Sequence, residues 1–366
     1  LTTGTDNVAI GDSAADALTS GERNTVVGDN AAGAATIASR NVVIGHDALA
    51  TEDVGDRTTV IGDSALYSQN SDSNNENTGN TAVGYATGYF NVTGTKNTLL
   101  GNEAGLGASG NSYSDNTYVG YIAGTANTTG GNNVGVGSNA LKTNTTGAAN
   151  TAVGKGSLNT SSTGDSNTAV GKGALEANTT ASDNTAVGAS ALESNTTGSL
   201  NVAVGKSALL SNTTGDNNTV IGYGAGDALT EGSNNQAIGR DALGADTLGS
   251  QNVAIGRLAL GSQNFTTATN SYNTAVGASA GYAITTGTGN TLIGGLAGDA
   301  QTTASNNTVV GYQAFSAAAT GGDNVAVGYH ALLNNTTGAG SVAVGTSALD
   351  AATTGDDNVA VGMHAL

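Results

Sequence analysis

The side chains of this 366-residue chain that could do chemistry are 3 histidines, 28 carboxylates and 10 cations, and their spacing decides what they can do. A metal centre or an acid–base pair needs several of them within a few ångströms. His46, His330 and His364 do not converge. The last two lie 34 residues apart, two turns of the repeat derived below, or about 9.6 Å at sheet spacing. That is too far for joint ligation of one ion within a chain. Nine of the ten cations sit at only two repeat positions: Lys155, Lys172, Lys206, Arg240 and Arg257 at position 6, and Arg23, Arg40, Arg57 and Lys96 at position 17. A catalytic set draws different residue types together, whereas one charge recurring beside a turn marks a solvated face or an inter-chain ion pair. Asp165, Asp216, Asp356 and Asp357 recur in the same way and form no calcium loop. The glycines open no phosphate-binding loop. A glycosidase or lyase would need clustered carboxylates. The expectation is no catalytic residue, no metal, no cofactor and no enzyme.

The bulk composition narrows the partners. The formal charge of −18 disfavours nucleic acid and anionic lipid. No apolar run approaches the ~20 residues needed to cross a bilayer as a helix, so this segment is not expected to insert directly into a membrane. There are 57 Gly, no Pro, no Cys and no Trp, and only 10% of residues are charged. Such a chain can fill only a thin core of small and β-branched side chains, as in a solenoid.

The elements that position these residues are repeats. The phrase Asn-Thr/Val-x-Val/Ile-Gly starts at Asn7, Asn24 and Asn41 and recurs to Asn358, giving 21 copies in which 17 of the 20 intervals are 17 residues long. Numbered from the phrase start, the consensus is N-T/V-A-V-G-x-x-A-L/G-x-x-N-T-T-G-x-x. Positions 2 to 4 alternate as a strand does, and Gly at position 5, with frequent Gly at 15, marks corners. No helical stripe appears, and a period of 17 without Pro excludes collagen. The prediction over 1–366 is a single all-β array, a parallel β-solenoid of about 21 coils and roughly 100 Å long at sheet spacing. The chain opens at position 12 of a repeat and closes at position 9, which predicts a stretch of a longer array.

Each position receives an expected role. Asn150, Asn167, Asn184, Asn201 and Asn218 at position 1 should stack as a structural amide ladder. Val153, Val170, Val187 and Val204 at position 4 should fill the coil. Position 3, with Ala169, Ala186 and Ala203, should then point outward as an oligomer stripe joining sister chains in a homotrimer, the alternative being a second internal sheet. Three longer intervals of 22, 19 and 21 residues place loop insertions near 67–79, 106–115 and 261–272. They carry Tyr67, Tyr113, Phe265 and Tyr272, either as exposed recognition groups for a surface glycan or protein receptor or as plugs folded back onto the rod.

The phrases Asn-Val-Ala-Ile-Gly at 7–11, Asn-Val-Ala-Val-Gly at 201–205 and Ser-Val-Ala-Val-Gly at 341–345 resemble the head repeat of YadA-like trimeric autotransporter adhesins. With the Asn-Thr-Thr-Gly extension at 144–147, 195–198 and 212–215 they also resemble repeat tracts of phage-type tail fibres. The adhesin resemblance implies a left-handed parallel β-roll that trimerises, with the Val-x-Ile pair inside, and attachment to host surfaces. This repeat is about three residues longer than the adhesin one, and neither neck, stalk nor barrel is present in the sequence. The expected function is a structural or adhesive fibre shaft of an extracellular appendage on a cell surface or virion. The alternatives are a purely structural matrix filament or spacer and, on its Thr ranks, an ice-binding solenoid. The paired threonines are adjacent and so would point to opposite sides of a strand, which weakens the last reading.

Overall fold

A computed structural model describes residues 3–73 and 76–366; Asn74 and Asn75 of the first expected insertion lie outside the described residues. The chain is an all-β parallel solenoid of about 21 coils with a repeat of 17 residues, and no helix occurs among the described residues. The coils gather into two compact units, Leu1–Asp183 and Asn184–Leu366. Ten coils begin in the first unit and eleven in the second.

In each coil the strand is only three residues long, at positions 2 to 4, as in Thr151–Val153 and Val202–Val204. It pairs in parallel with the equivalent strand one repeat away. In the first unit Thr168, Ala169 and Val170 lie against Thr151, Ala152 and Val153. In the second, Val202, Ala203 and Val204 lie against Thr219, Val220 and Ile221. The register is thus the sequence repeat itself, and equivalent residues form columns.

The corner after each strand explains why position 5 is always glycine. Gly154 has φ of +135°, and a Cβ there would stand 2.5 Å from the carbonyl oxygen of Gly171. Only glycine combines that conformation with so close an approach of the next coil. Positions 7, 9 and 17 also take left-handed φ without being glycine, as Asn139 (60°), Leu158 (49°) and Ser166 (58°) illustrate. For leucine this costs roughly 1–2 kcal/mol, offset by the burial of the side chain at position 9.

The interior is formed by positions 1, 3, 8, 9 and 12, seen in Asn184, Ala186, Ala191, Leu192 and Asn195, all fully buried. This reverses one expectation. Ala169, Ala186 and Ala203 are buried inside the coil, so they are not an outward stripe. Val153, Val170 and Val187, expected in the core, are 36–37% exposed, and Val204 is half-buried on the same outer side. The reason is volume. A 17-residue coil closes so tightly that position 3 faces positions 8 and 9 across a narrow gap, filled from this side by Ala in most coils and by Val at Val26, Val43, Val60, Val220 and Val309. Large residues enter at position 3 only where glycine makes room: Tyr118 is fully buried, and a Cβ on Gly124 would stand 2.5 Å from its ring. Leu99 and Leu292 at position 3 are likewise accompanied by Gly105 and Gly298 at position 9, where a Cβ would stand 2.8 and 2.9 Å from them.

Candidate functional site: amide columns, loop anchors and an outward aliphatic row

The position 1 asparagines form a buried column bonded mainly side chain to backbone, with amide-to-amide bonds as well, such as Asn167 Nδ2 to Asn150 Oδ1 and Asn218 Nδ2 to Asn201 Oδ1 at 3.1 Å each. Asn150 donates its N–H to Asn133 Oδ1 at 2.9 Å, and Asn167 donates to Asn150 Oδ1 at 2.9 Å. Asn201 and Asn218 continue the pattern on Asn184 and Asn201 at 2.9 Å each. The side-chain NH2 of Asn150 meanwhile donates to the Gly164 carbonyl at 2.8 Å. Each amide therefore uses its oxygen on one neighbouring coil and its nitrogen on the corner at position 15, which satisfies polar groups that burial would otherwise penalise by ~1–3 kcal/mol each.

A second inward column, at position 12, was not anticipated. The Asn of Asn-Thr-Thr-Gly is buried, and its side chain turns back on the glycine carbonyl three residues on: Asn144 to Gly147 at 2.9 Å and Asn195 to Gly198 at 2.8 Å. The Gly147 carbonyl also receives Asn133 Nδ2 at 2.9 Å, so one corner ties both columns. The signal was in the sequence: Leu229 and Ile284 replace Asn at this position, as a solvated turn would rarely require.

Position 12 also holds two buried carboxylates, each one coil before an insertion. Glu52 is fully buried; Val54, Gly55 and Ser71 donate backbone N–H to its Oε1 at 3.1, 2.7 and 3.2 Å, and Ser71 Oγ donates to Oε2 at 2.9 Å. Ser71 belongs to the first insertion. Asp246 receives the N–H groups of Gly249 and Phe265 at 3.0 and 3.2 Å and Gln263 Nε2 at 2.7 Å. Phe265 and Gln263 belong to the third. Burial pushes the Asp246 carboxyl above the usual aspartate range, against the opposing pull of these donors.

The four loop aromatics therefore do not form one exposed set. Tyr113 is buried, its hydroxyl donating to the Gly105 carbonyl and its ring edge-on to Tyr118, with centroids 6.5 Å apart. Its own carbonyl accepts Asn97 Nδ2 at 2.8 Å, the bond that position 15 accepts elsewhere. Phe265 is buried above Asp246. Neither can be offered to a receptor. Tyr67 is half-buried and stacks on Tyr89 at 5.0 Å, and only Tyr272 is well exposed, at 57%. A rigid small core cannot leave a gap at Gly88 and Gly105, and Tyr113 fills it.

The outer face of the strands is a regular surface feature. Position 4 is Val, Ile or Leu in all 21 coils. These side chains point away from the core, with Ile44, Ile61, Leu100 and Val153 exposed in the first unit and Val187, Ile221 and Ile293 in the second. Threonine or valine at position 2 widens the row. The histidines stay apart: His46 lies by Asp47 and Asp63 at 3.5 Å each, and His330 contacts Gln313 Oε1 at 3.0 Å and stacks on Tyr329. Among the described residues, no three His, Cys, Asp or Glu side chains are grouped to hold a metal ion. No helix among the described residues is long and apolar enough to cross a membrane. The chain matches no protein-family model and no curated protein.

Proposed function

We propose that this chain is the shaft of a homo-oligomeric, most simply homotrimeric, structural fibre of an extracellular appendage, and that the fibre serves attachment to a surface or host. It is a scaffold and not an enzyme. The observation that carries the reading is the position 4 row. Branched aliphatic side chains repeat at every coil on the outer side of the parallel strands, and soluble monomers rarely expose so continuous an apolar surface. Sister chains packed through positions 2 and 4 would cover it and would support a core too thin to be very stable alone. The interface thus moves from the expected position 3 to position 4. The exposed Tyr272 on the third insertion is the aromatic best placed to contact a surface glycan or protein receptor.

Native mass spectrometry of the purified chain tests the assembly, and adhesion of the particle to glycan- and protein-coated surfaces tests the attachment. Trimers that bind a surface are the expected result. A stable monomer would overturn the assembly. Trimers that adhere to none of these surfaces would favour the spacer or matrix filament.

A further inference from the structure

We infer that the two edges of the outward strand face carry a charge code that aligns neighbouring copies parallel and in register. This rests on the self-association proposed above and specifies its geometry. The strand face is bounded on one side by positions 6 and 7 and on the other by position 17 of the preceding coil. In the first four coils this edge is mainly acidic, with Asp12, Asp29 and Asp63 exposed at position 6 and, in the third coil, His46 exposed at position 6 beside the half-buried Asp47 at position 7. The opposite edge carries Arg23, Arg40 and Arg57, all exposed. Two acids on that side face away from the role: Asp56 is buried and lies 4.0 Å from Arg40, and Glu22 is half-buried. Asp6 is the exposed exception, one coil earlier.

Further along the first unit the signs exchange. Lys155 and Lys172 are exposed at position 6, and Asp165 and Asp183 are exposed on the other edge. In the second unit position 6 carries Lys206, Arg240 and Arg257, of which Arg240 lies 3.6 Å from Asp241, while the half-buried Asp216 on the other edge stands at the level of Tyr223. The two edges of one face are separated by the strand and its corner, at most about 20 Å along six residues. Among the described residues neither Arg23 nor Arg57 forms an ion pair.

Copies running parallel about a common axis place the position 6 edge of one chain beside the position 17 edge of the next, whatever their number. At zero stagger Asp29 then meets Arg23 and Asp63 meets Arg57, and at the level of Lys172 and Asp165 the reversed signs are again opposite; Asp12 meets Asp6, the one like-charge level of the first four coils. Antiparallel packing brings like edges together instead. Charges at the rim of an apolar interface commonly select register in this way.

Three variants test the code: Arg23→Asp/Arg57→Asp, Asp29→Arg/Asp63→Arg, and the quadruple that exchanges both pairs. The repeat already accepts these residues there, since Asp115 and Asp183 stand at position 17 with φ of 60° and Lys155 and Arg240 at position 6. Circular dichroism and melting of each variant establish folding. Each double variant should weaken assembly about tenfold or more at low ionic strength. The quadruple should recover to near the wild-type constant and should not mix with differently tagged wild-type chains. Double variants that assemble like wild type overturn the code, and so does a quadruple that stays weak, as antiparallel packing predicts. A monomeric wild-type chain instead overturns the self-association on which the code rests.

Discussion

Ala152 and Val153 are consecutive residues of one three-residue strand and lie on opposite sides of its wall: Ala152 is fully buried, whereas Val153 is 37% exposed. A substitution at position 3 therefore acts on the fold, and one at position 4 on whatever covers the face.

The pair Ala169 and Val170 makes this measurable. Ala169→Glu puts an unpaired carboxylate into a gap filled by small side chains and should destabilise the first unit by about 3–5 kcal/mol. Val170→Glu should change stability by less than about 1 kcal/mol and weaken association. Chemical unfolding read beside native mass spectrometry separates the two. Equal loss of stability would mean that the strand orientation is wrong.

The Asn150 side chain ties the corner of its own coil to the next coil. Asn150→Ala removes the acceptor of the Asn167 N–H and the donor to the Gly164 carbonyl, for a cost of about 2–6 kcal/mol if each orphaned group costs ~1–3 kcal/mol. Amide exchange at Asn167 should accelerate more than at distant coils. Unchanged exchange there would show that the column is not bonded as described.

Tyr113 behaves here as a core residue. Tyr113→Ala should cost about 3–5 kcal/mol through the cavity it leaves, with surface attachment unchanged at temperatures where the variant stays folded. Tyr272→Ala should leave melting unaltered and reduce attachment. The opposite outcomes would return Tyr113 to the recognition surface.

Asp246 supplies a pH dependence. Its folded-state pKa is raised, chiefly by burial, so protonation favours the folded form. The associated stability is fully present below the unfolded-state pKa and is lost as pH rises through the folded one. Relative to Asp246→Asn, the wild type should gain stability as pH falls from neutral into the carboxylate range. Parallel pH profiles for the two proteins would contradict the assignment.

The 17-residue period, the parallel register, the invariant corner glycine and the structural character of the position 1 asparagines are legible in the sequence. Each follows from a local rule repeated 21 times: stacked coils align equivalent residues, and only glycine tolerates the corner. The direction in which the strand faces is not legible in the same way. Three residues alternate equally well in either phase, and the habit of placing larger β-branched side chains inside selects the wrong one. Only closure of the coil decides it, because it fixes which side of the strand faces positions 8 and 9, and both alanine and valine, as at Val43 and Val60, are accepted there. The compensation of Leu99, Tyr118 and Leu292 by glycine at position 9 is the trace of that constraint, and it reads as packing only once those positions are seen to touch. The loops divide for a related reason. That a residue lies in an insertion follows from counting, but whether Tyr113 or Tyr272 turns inward depends on a gap several coils contribute to, which the tertiary structure alone creates.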